Sequence, residues 1–120
     1  TPLHSSAASD VYKRQTLTAS SASAFDPEDL KRLIETNECV GCDLSNADLL
    51  GVNLKKAILV EAILASADLR SANLREANIT GANLGGADLT GADLTRAYIN
   101  GAILCNTIMP EGSVIYSGCK

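Results

Sequence analysis

The 120-residue sequence has no Trp, one Phe and three Tyr, so aromatics are 3% of it. That scarcity excludes a core built on large rings. Burial has to come from many small and medium side chains, here Ala, Leu and Ile. The one His stands at position 4, near the chain start. Ser and Thr are plentiful, but no other His is available as a base, so the chain offers no constellation for nucleophilic catalysis. Lys and Arg number 10 against 14 Asp and Glu, a net charge of −4. This is not the basic footprint of a nucleic-acid binder. No apolar run is long enough to cross a bilayer, and the longest candidate, Ala57 to Ala65, is interrupted by Glu61. Gly81, Gly85 and Gly86 fit neither a phosphate-binding loop nor a dinucleotide fingerprint. The expectation is a protein that is not an enzyme and has no cofactor, no metal and no small-molecule ligand.

What the chain does have is an internal repeat. Cut every five residues from Cys42, it reads CDLSN, ADLLG, VNLKK, AILVE, AILAS, ADLRS, ANLRE, ANITG, ANLGG, ADLTG, ADLTR, AYING and AILCN, 13 unbroken blocks over 65 residues. The third position is always Leu or Ile. The first is Ala except at Cys42 and Val52, and the second is usually Asp or Asn. A period of five suits neither common element. On an α-helix the third position would spiral through every face, by about 140° per block. On a flat strand it would change sides with each block, because five is odd. The period does suit a chain that runs extended for about three residues and then turns a corner. First and third positions then point the same way. Four such sides close a square coil of 20 residues, and successive coils stack at about 4.8 Å.

Registering the coils 20 residues apart predicts four inward columns: Leu44, Leu64, Leu84 and Leu104; Leu49, Leu69 and Leu89; Leu54, Leu74 and Leu94; and Leu59, Ile79 and Ile99. Alanines such as Ala62, Ala82 and Ala102 form companion columns where only small residues fit. A stacked coil leaves unpaired backbone at both ends and needs covering. Upstream, Phe25-Asp26-Pro27-Glu28-Asp29-Leu30 reads as a helix start. Asp26 is the N-cap, Pro27 takes the first helical position, and Phe25 and Leu30 are spaced as a hydrophobic staple. Leu30, Leu33 and Ile34 share a face that suits the open end of the first coil. The expected organisation is a disordered leader at 1–24, a capping helix at 25–36, the repeat coil at 37–111 and a capping tail at 112–120.

These blocks resemble the pentapeptide-repeat family, whose consensus is A(D/N)LXX. The resemblance implies an all-β solenoid, a right-handed quadrilateral β-helix. The segment leading into CVGCDLSNADL and the ending CNTIMPEGSVIYSGC look like the exported members of cyanobacteria and of the chloroplast thylakoid lumen, which share a helix cap and paired cysteines. The resemblance therefore implies localisation in the thylakoid lumen or periplasm. Ala22-Ser23-Ala24 is a small-x-small site of the kind signal peptidase cuts, but no apolar stretch precedes it. Asp10 to Gln15 (DVYKRQ) resembles a translated sequencing-adapter scar. On that reading the native start, with its signal peptide, is lost from this chain.

Cys39-Val40-Gly41-Cys42 lacks the βαβ context of a redox motif, and Cys105 and Cys119 lie about three coils away, too far to share one zinc ion. Disulfides Cys39–Cys42 and Cys105–Cys119 are expected at the two ends, with plain buried thiols as the competing state. On the outside, Asp48, Asp68 and Asp88 stack into an acidic ladder. It reads either as DNA mimicry, as in family members that protect gyrase, or as an ordinary solvated face interrupted by Lys55, Lys56, Arg70, Arg75 and Arg96. The solvated face is favoured. Ile58, Ile63, Tyr98 and Ile103 break the polar rule at the second position. They read as a possible interaction patch or as a landing site for the terminal segments. The function expected is a non-enzymatic structural or protein-interaction module with an unknown protein partner, without nucleic acid or a membrane span, and monomeric. The alternative is a DNA-mimicking gyrase-binding protein, and a weaker third is an accessory domain of a truncated enzyme.

Overall fold

The computed structural model describes residues 25–119. The reading of residues 1–24 as a disordered leader lies outside the described residues.

From Asn37 onward the chain passes back alongside itself every 20 residues. Second-position residues form parallel bridges in four columns: Glu38, Ile58, Asn78 and Tyr98; Asp43, Ile63, Asn83 and Ile103; Asp48, Asp68, Asp88 and Ile108; and Asn53, Asn73 and Asp93. Three backbone hydrogen bonds per block tie one coil to the next. Leu44 N–H donates to the Ile63 carbonyl at 2.8 Å, Ile63 N–H to the Cys42 carbonyl at 2.7 Å, and Asn46 N–H to the Ala65 carbonyl at 2.9 Å. The corner between blocks is a β-turn closed by the next first-position N–H, as from Ala47 to the Leu44 carbonyl at 3.1 Å.

Each corner needs a left-handed residue at the fifth position. Gly81 adopts it at φ +70°, which costs glycine little. Elsewhere the chain puts L-residues there, among them Lys56, Glu61, Ser66, Ser71 and Arg96, all with φ near +60°. An L-residue in this region costs roughly 1–2 kcal/mol.

The interior is four columns of third-position side chains lined by first-position alanines. Leu44, Leu49, Leu54, Leu59, Leu64, Leu69, Leu74, Ile79, Leu84 and Leu89 are all buried to 1% exposure or less. Burying each contributes about 1.5–3 kcal/mol. Leu104, at 9%, is still buried, but two ladder residues are not. Leu94 is half-buried and Ile99 is 40% exposed. The reason is geometric: the third and fourth sides of the coil receive no further rung after residue 101.

At the N-terminal end helix α1, Pro27–Thr36, lies on the first coil. Asp26 caps it by accepting from Glu28 N–H at 2.9 Å. Phe25, Leu30 and Leu33 are buried with the coil interior. The helix also serves the first coil's backbone. Asp26 N–H donates to the Asp43 carbonyl at 3.0 Å, and Asp43 N–H donates to Asp29 Oδ2 at 2.9 Å. A side-chain carboxylate thus stands where a previous coil's carbonyl would.

At the other end the coil continues past the last regular block. Leu89 N–H donates to the Ile108 carbonyl at 2.8 Å and Gly91 N–H to the Pro110 carbonyl at 2.9 Å, so 107–111 forms one more side. Its first position is Thr107, fully buried, whose hydroxyl donates to the Leu84 carbonyl at 2.6 Å. Strand β1, Leu104–Ile108, then pairs antiparallel with β2, Val114–Ser117, with a bulge between Cys105 and Thr107. The hairpin covers the first and second sides only.

Candidate functional site

The outer surface begins with the second position of each block. Its Asp or Asn Oδ1 accepts the backbone N–H two residues on. Examples are Arg75 N–H to Asn73 Oδ1 at 3.1 Å, Gly85 N–H to Asn83 Oδ1 at 2.9 Å and Thr90 N–H to Asp88 Oδ1 at 3.0 Å. This is an Asx turn that satisfies the corner. The acidic ladder is therefore in the first instance a corner device. Its centre is also neutralised, because Arg70 reaches Asp68 through Nε and Nη2, both at 2.8 Å. The Arg70 side-chain hydrogen bond holds the Asp68 carboxyl below its usual range. The same bond pushes Arg70 up, with Asp88 and Asp48 adding to it.

Ile58, Ile63, Tyr98 and Ile103 put hydrocarbon where the other blocks put this acceptor, so each forgoes the Asx bond. They do not form one patch. Asn78 separates Ile58 from Tyr98, and Asn83 separates Ile63 from Ile103. Ile103 is met by the tail, since a Cβ on Gly118 would lie 3.3 Å from Ile103 Cα. Ile58 and Ile63 instead flank one corner, between the fourth and first sides. Val40 stacks on Val60 beside Ile58, through Gly41 N–H to the Val60 carbonyl at 2.9 Å. Val40 is 59% exposed and Ile63 40%. Reading by second position alone missed the two valines, which are fourth-position residues. Tyr98, 60% exposed, stands apart on the last rung.

Basic side chains gather on the third side and the corner after it. Lys56 and Arg96 both lie 3.9 Å from Glu76, and Arg75 lies 3.3 Å from Asp93. These are exposed pairs that solvent and salt screen, so they add little to stability. The Thr95 hydroxyl, more than Arg75, keeps Asp93 below its usual range. An open groove of about 500 Å³ runs between α1 and the first coil, lined by Leu33, Ile34, Asn53, Leu54, Lys55 and Lys56 among others.

The cysteines are paired within the chain. Cys39–Cys42 has a Cα separation of 5.3 Å and Cys105–Cys119 one of 4.9 Å. Both sulfurs of the first bridge sit under α1, with Arg32 Nη2 2.7 Å from Cys42 Sγ. Sulfur bonded to sulfur has no thiolate to offer a metal.

The family model described as pentapeptide repeats matches residues 38–75 and 72–109. Among solved structures, a pentapeptide repeat protein from Nostoc is 32% identical over 59% of this chain and 60% of its own, at a TM-score of 0.44. A pentapeptide repeat protein from the Arabidopsis thaliana thylakoid lumen is 27% identical over 60% of this chain and 50% of its own, at 0.41. The chain thus spans 60% and 50% of these two relatives. No curated protein sequence matches it. With a matched repeat over more than half its length, a 20-residue coil and columns of buried leucines, the chain belongs to the pentapeptide-repeat family, whose repeat implies a right-handed β-helix.

Proposed function

We propose that the protein is a non-enzymatic structural or protein-interaction module of the thylakoid lumen or periplasm. Its four-sided solenoid is capped by α1 at one end and strapped by the C-terminal hairpin at the other. The observation that carries the interaction reading is the apolar corner formed by Val40, Ile58, Val60 and Ile63. The two isoleucines forgo a corner hydrogen bond that Asp or Asn would make. Neither joins the buried core: Ile63 is exposed and Ile58 half-buried, so core burial does not repay the loss in full. A partner that buries this hydrocarbon supplies the compensation.

Export is supported by the four cysteines, all paired, one bridge at each end of the coil. Such bridges persist in oxidising compartments.

The test replaces both isoleucines by Asn, restoring the corner acceptors. The Ile58→Asn/Ile63→Asn protein is expected to melt at or above the wild-type temperature yet lose a cross-linked partner that wild type retains in extract from its native compartment. If the double variant keeps that partner, the interaction reading of this corner fails. Four free thiols in protein from the native compartment would remove the export reading.

A second reading is favoured by the Asp48–Asp68–Asp88 column: a DNA-mimicking, gyrase-binding protein. The Arg70 pair in the middle of that column counts against it. Purified protein is expected not to inhibit DNA supercoiling by gyrase at micromolar levels, and clear inhibition would reverse the ranking.

A further inference from the structure

The two disulfides are chemically unequal, and neither the family nor the proposed function accounts for the difference. Cys39 and Cys42 are each 1% exposed, covered by α1 and by Arg32. Cys119 is exposed on the tail, and its partner Cys105 is only half-buried. Thiol–disulfide exchange requires a thiolate to reach one sulfur in line with the bond, so access decides which bridge reacts.

We propose that Cys105–Cys119 is a thiol–disulfide exchange site for a protein dithiol reductant, and that its opening releases the C-terminal strand while Cys39–Cys42 stays closed. The reductant's thiolate attacks Cys119 Sγ. The sulfur–sulfur bond breaks and Cys105 leaves as a thiolate, which takes up a proton. The reductant's second thiolate then attacks the mixed disulfide and frees Cys119, also to be protonated. The reductant ends as a disulfide, and two electrons have passed to the cysteine pair.

Little else holds the strand. Val114 and Tyr116 are 42% and 67% exposed, and Ile115 is the residue of β2 that packs on the core. The pairing to β1 is short and broken by the bulge after Cys105. Gly118 lies flat on Ile103 at φ +88°, a close approach that serves the strap only while Cys119 is tethered. Once free, the strand uncovers Ile103 and Leu104 and bares the outer edge of β1. An unpaired edge of this kind is a template for strand addition. The site is thus a switch that converts a covered end into an open one.

The experiment titrates the intact protein with dithiothreitol, traps thiols by alkylation and locates them by mass spectrometry. Cys105 and Cys119 are expected to be labelled at least about tenfold faster than Cys39 and Cys42. Hydrogen exchange on the resulting two-thiol species is expected to rise across 104–108 and 114–119 while Leu64, Leu69 and Leu84 stay protected. The Cys105→Ser/Cys119→Ser protein is expected to show the same pattern without reductant. A dithiol reductant lacking its resolving cysteine is expected to be trapped on Cys119. Opening of both bridges together, trapping on Cys39 or Cys42, or a serine variant whose strand is as protected as wild type would overturn the proposal.

Discussion

The N-terminal end of the coil is closed across all four columns, and the C-terminal end across two. At the first, α1 lies over the opening with Phe25, Leu30 and Leu33 turned into it, and Leu44, Leu49 and Leu54 just below are fully buried. Asp29 gives its carboxylate to the Asp43 N–H that a preceding coil would have served. At the second, a two-stranded hairpin follows the first and second sides and leaves Leu94 and Ile99 under no further rung. The difference shows what a repeat coil cannot do for itself. Each rung is buried by its neighbours, so the last rung is only as well buried as the non-repeating element laid on it. A helix laid across the opening buries the leucines of every side beneath it, whereas a strand extends only the sides it pairs with.

The largest test of this contrast is a buried charge. Leu74→Asp is expected to unfold the protein, because an unpaired carboxylate would sit in a tube with no partner. Asn73→Asp, one residue away, is expected to be nearly neutral. Ile99→Asp, on the open rung, is expected to fold and melt only slightly below wild type. In the milder series, Leu74→Ala is expected to cost about 2–5 kcal/mol, and Ile99→Ala less than about 1 kcal/mol. Thermal melts in which Ile99→Asp is as damaging as Leu74→Asp would mean that both ends are equally sealed.

Removing each closing element sharpens the contrast next. Deleting residues 25–36 is expected to bare three leucine columns and the first coil's backbone edge, giving aggregates or higher oligomers by size-exclusion chromatography. Deleting 112–119 is expected to lower the melting temperature while leaving most of the protein in its original peak. Equal association of both truncations would erase the asymmetry.

Corner strain has a smaller effect and does not depend on closure in the same way. Ser71→Gly is expected to stabilise by about 0.5–1 kcal/mol, because it relieves a φ of +61°. Gly81→Ala and Gly101→Ala both place a Cβ at a left-handed residue. Gly81 lies inside the coil, where that Cβ would meet Glu61 Cγ at 3.2 Å, whereas Gly101 has nothing nearer than 3.8 Å. Chemical denaturation is expected to show the first as the more costly.

The smallest effect is electrostatic. Asp68 has its folded pKa lowered from 3.8 by Arg70. A carboxyl with a depressed folded value adds stability above its unfolded pKa and loses it as pH falls through the folded value. The wild-type melting temperature is therefore expected to fall slightly more steeply below about pH 4 than that of Arg70→Ala. Superimposable pH profiles would show that Arg70 contributes nothing to the fold.

The period of five is enough to read the coil and its inward positions, because only a chain that turns every five residues keeps the leucines on one side. The local signals Asp26, Pro27 and Phe25 mark a helix for the same kind of reason: cap, first turn and staple act within a few residues. What the sequence hides is more distant or more degenerate. The left-handed corners are masked because Ser, Glu, Lys, Arg, Asn and Gly all occur at the fifth position. The return strand β2 is masked because the tail after Pro110 follows no repeat and pairs backwards onto β1. Val40 and Val60 look like ordinary spacer residues until the 20-residue return stacks them. Leu94 and Ile99 read as core because they obey the repeat, and the repeat carries no information about where stacking stops.

Because the coil closes in 20 residues over four turns, chain length here is also an angle. Inserting one five-residue block anywhere between Leu44 and Leu89 would swing the C-terminal hairpin and its Cys105–Cys119 bridge a quarter turn around the axis. The same insertion would move it only about 1.2 Å along the axis, a quarter of the roughly 4.8 Å rung spacing. Four blocks would return it to the same face, one rung further from α1. The number of blocks therefore works as a dial that sets the bearing between the exposed Val40–Ile63 corner near one end and the reducible strap at the other.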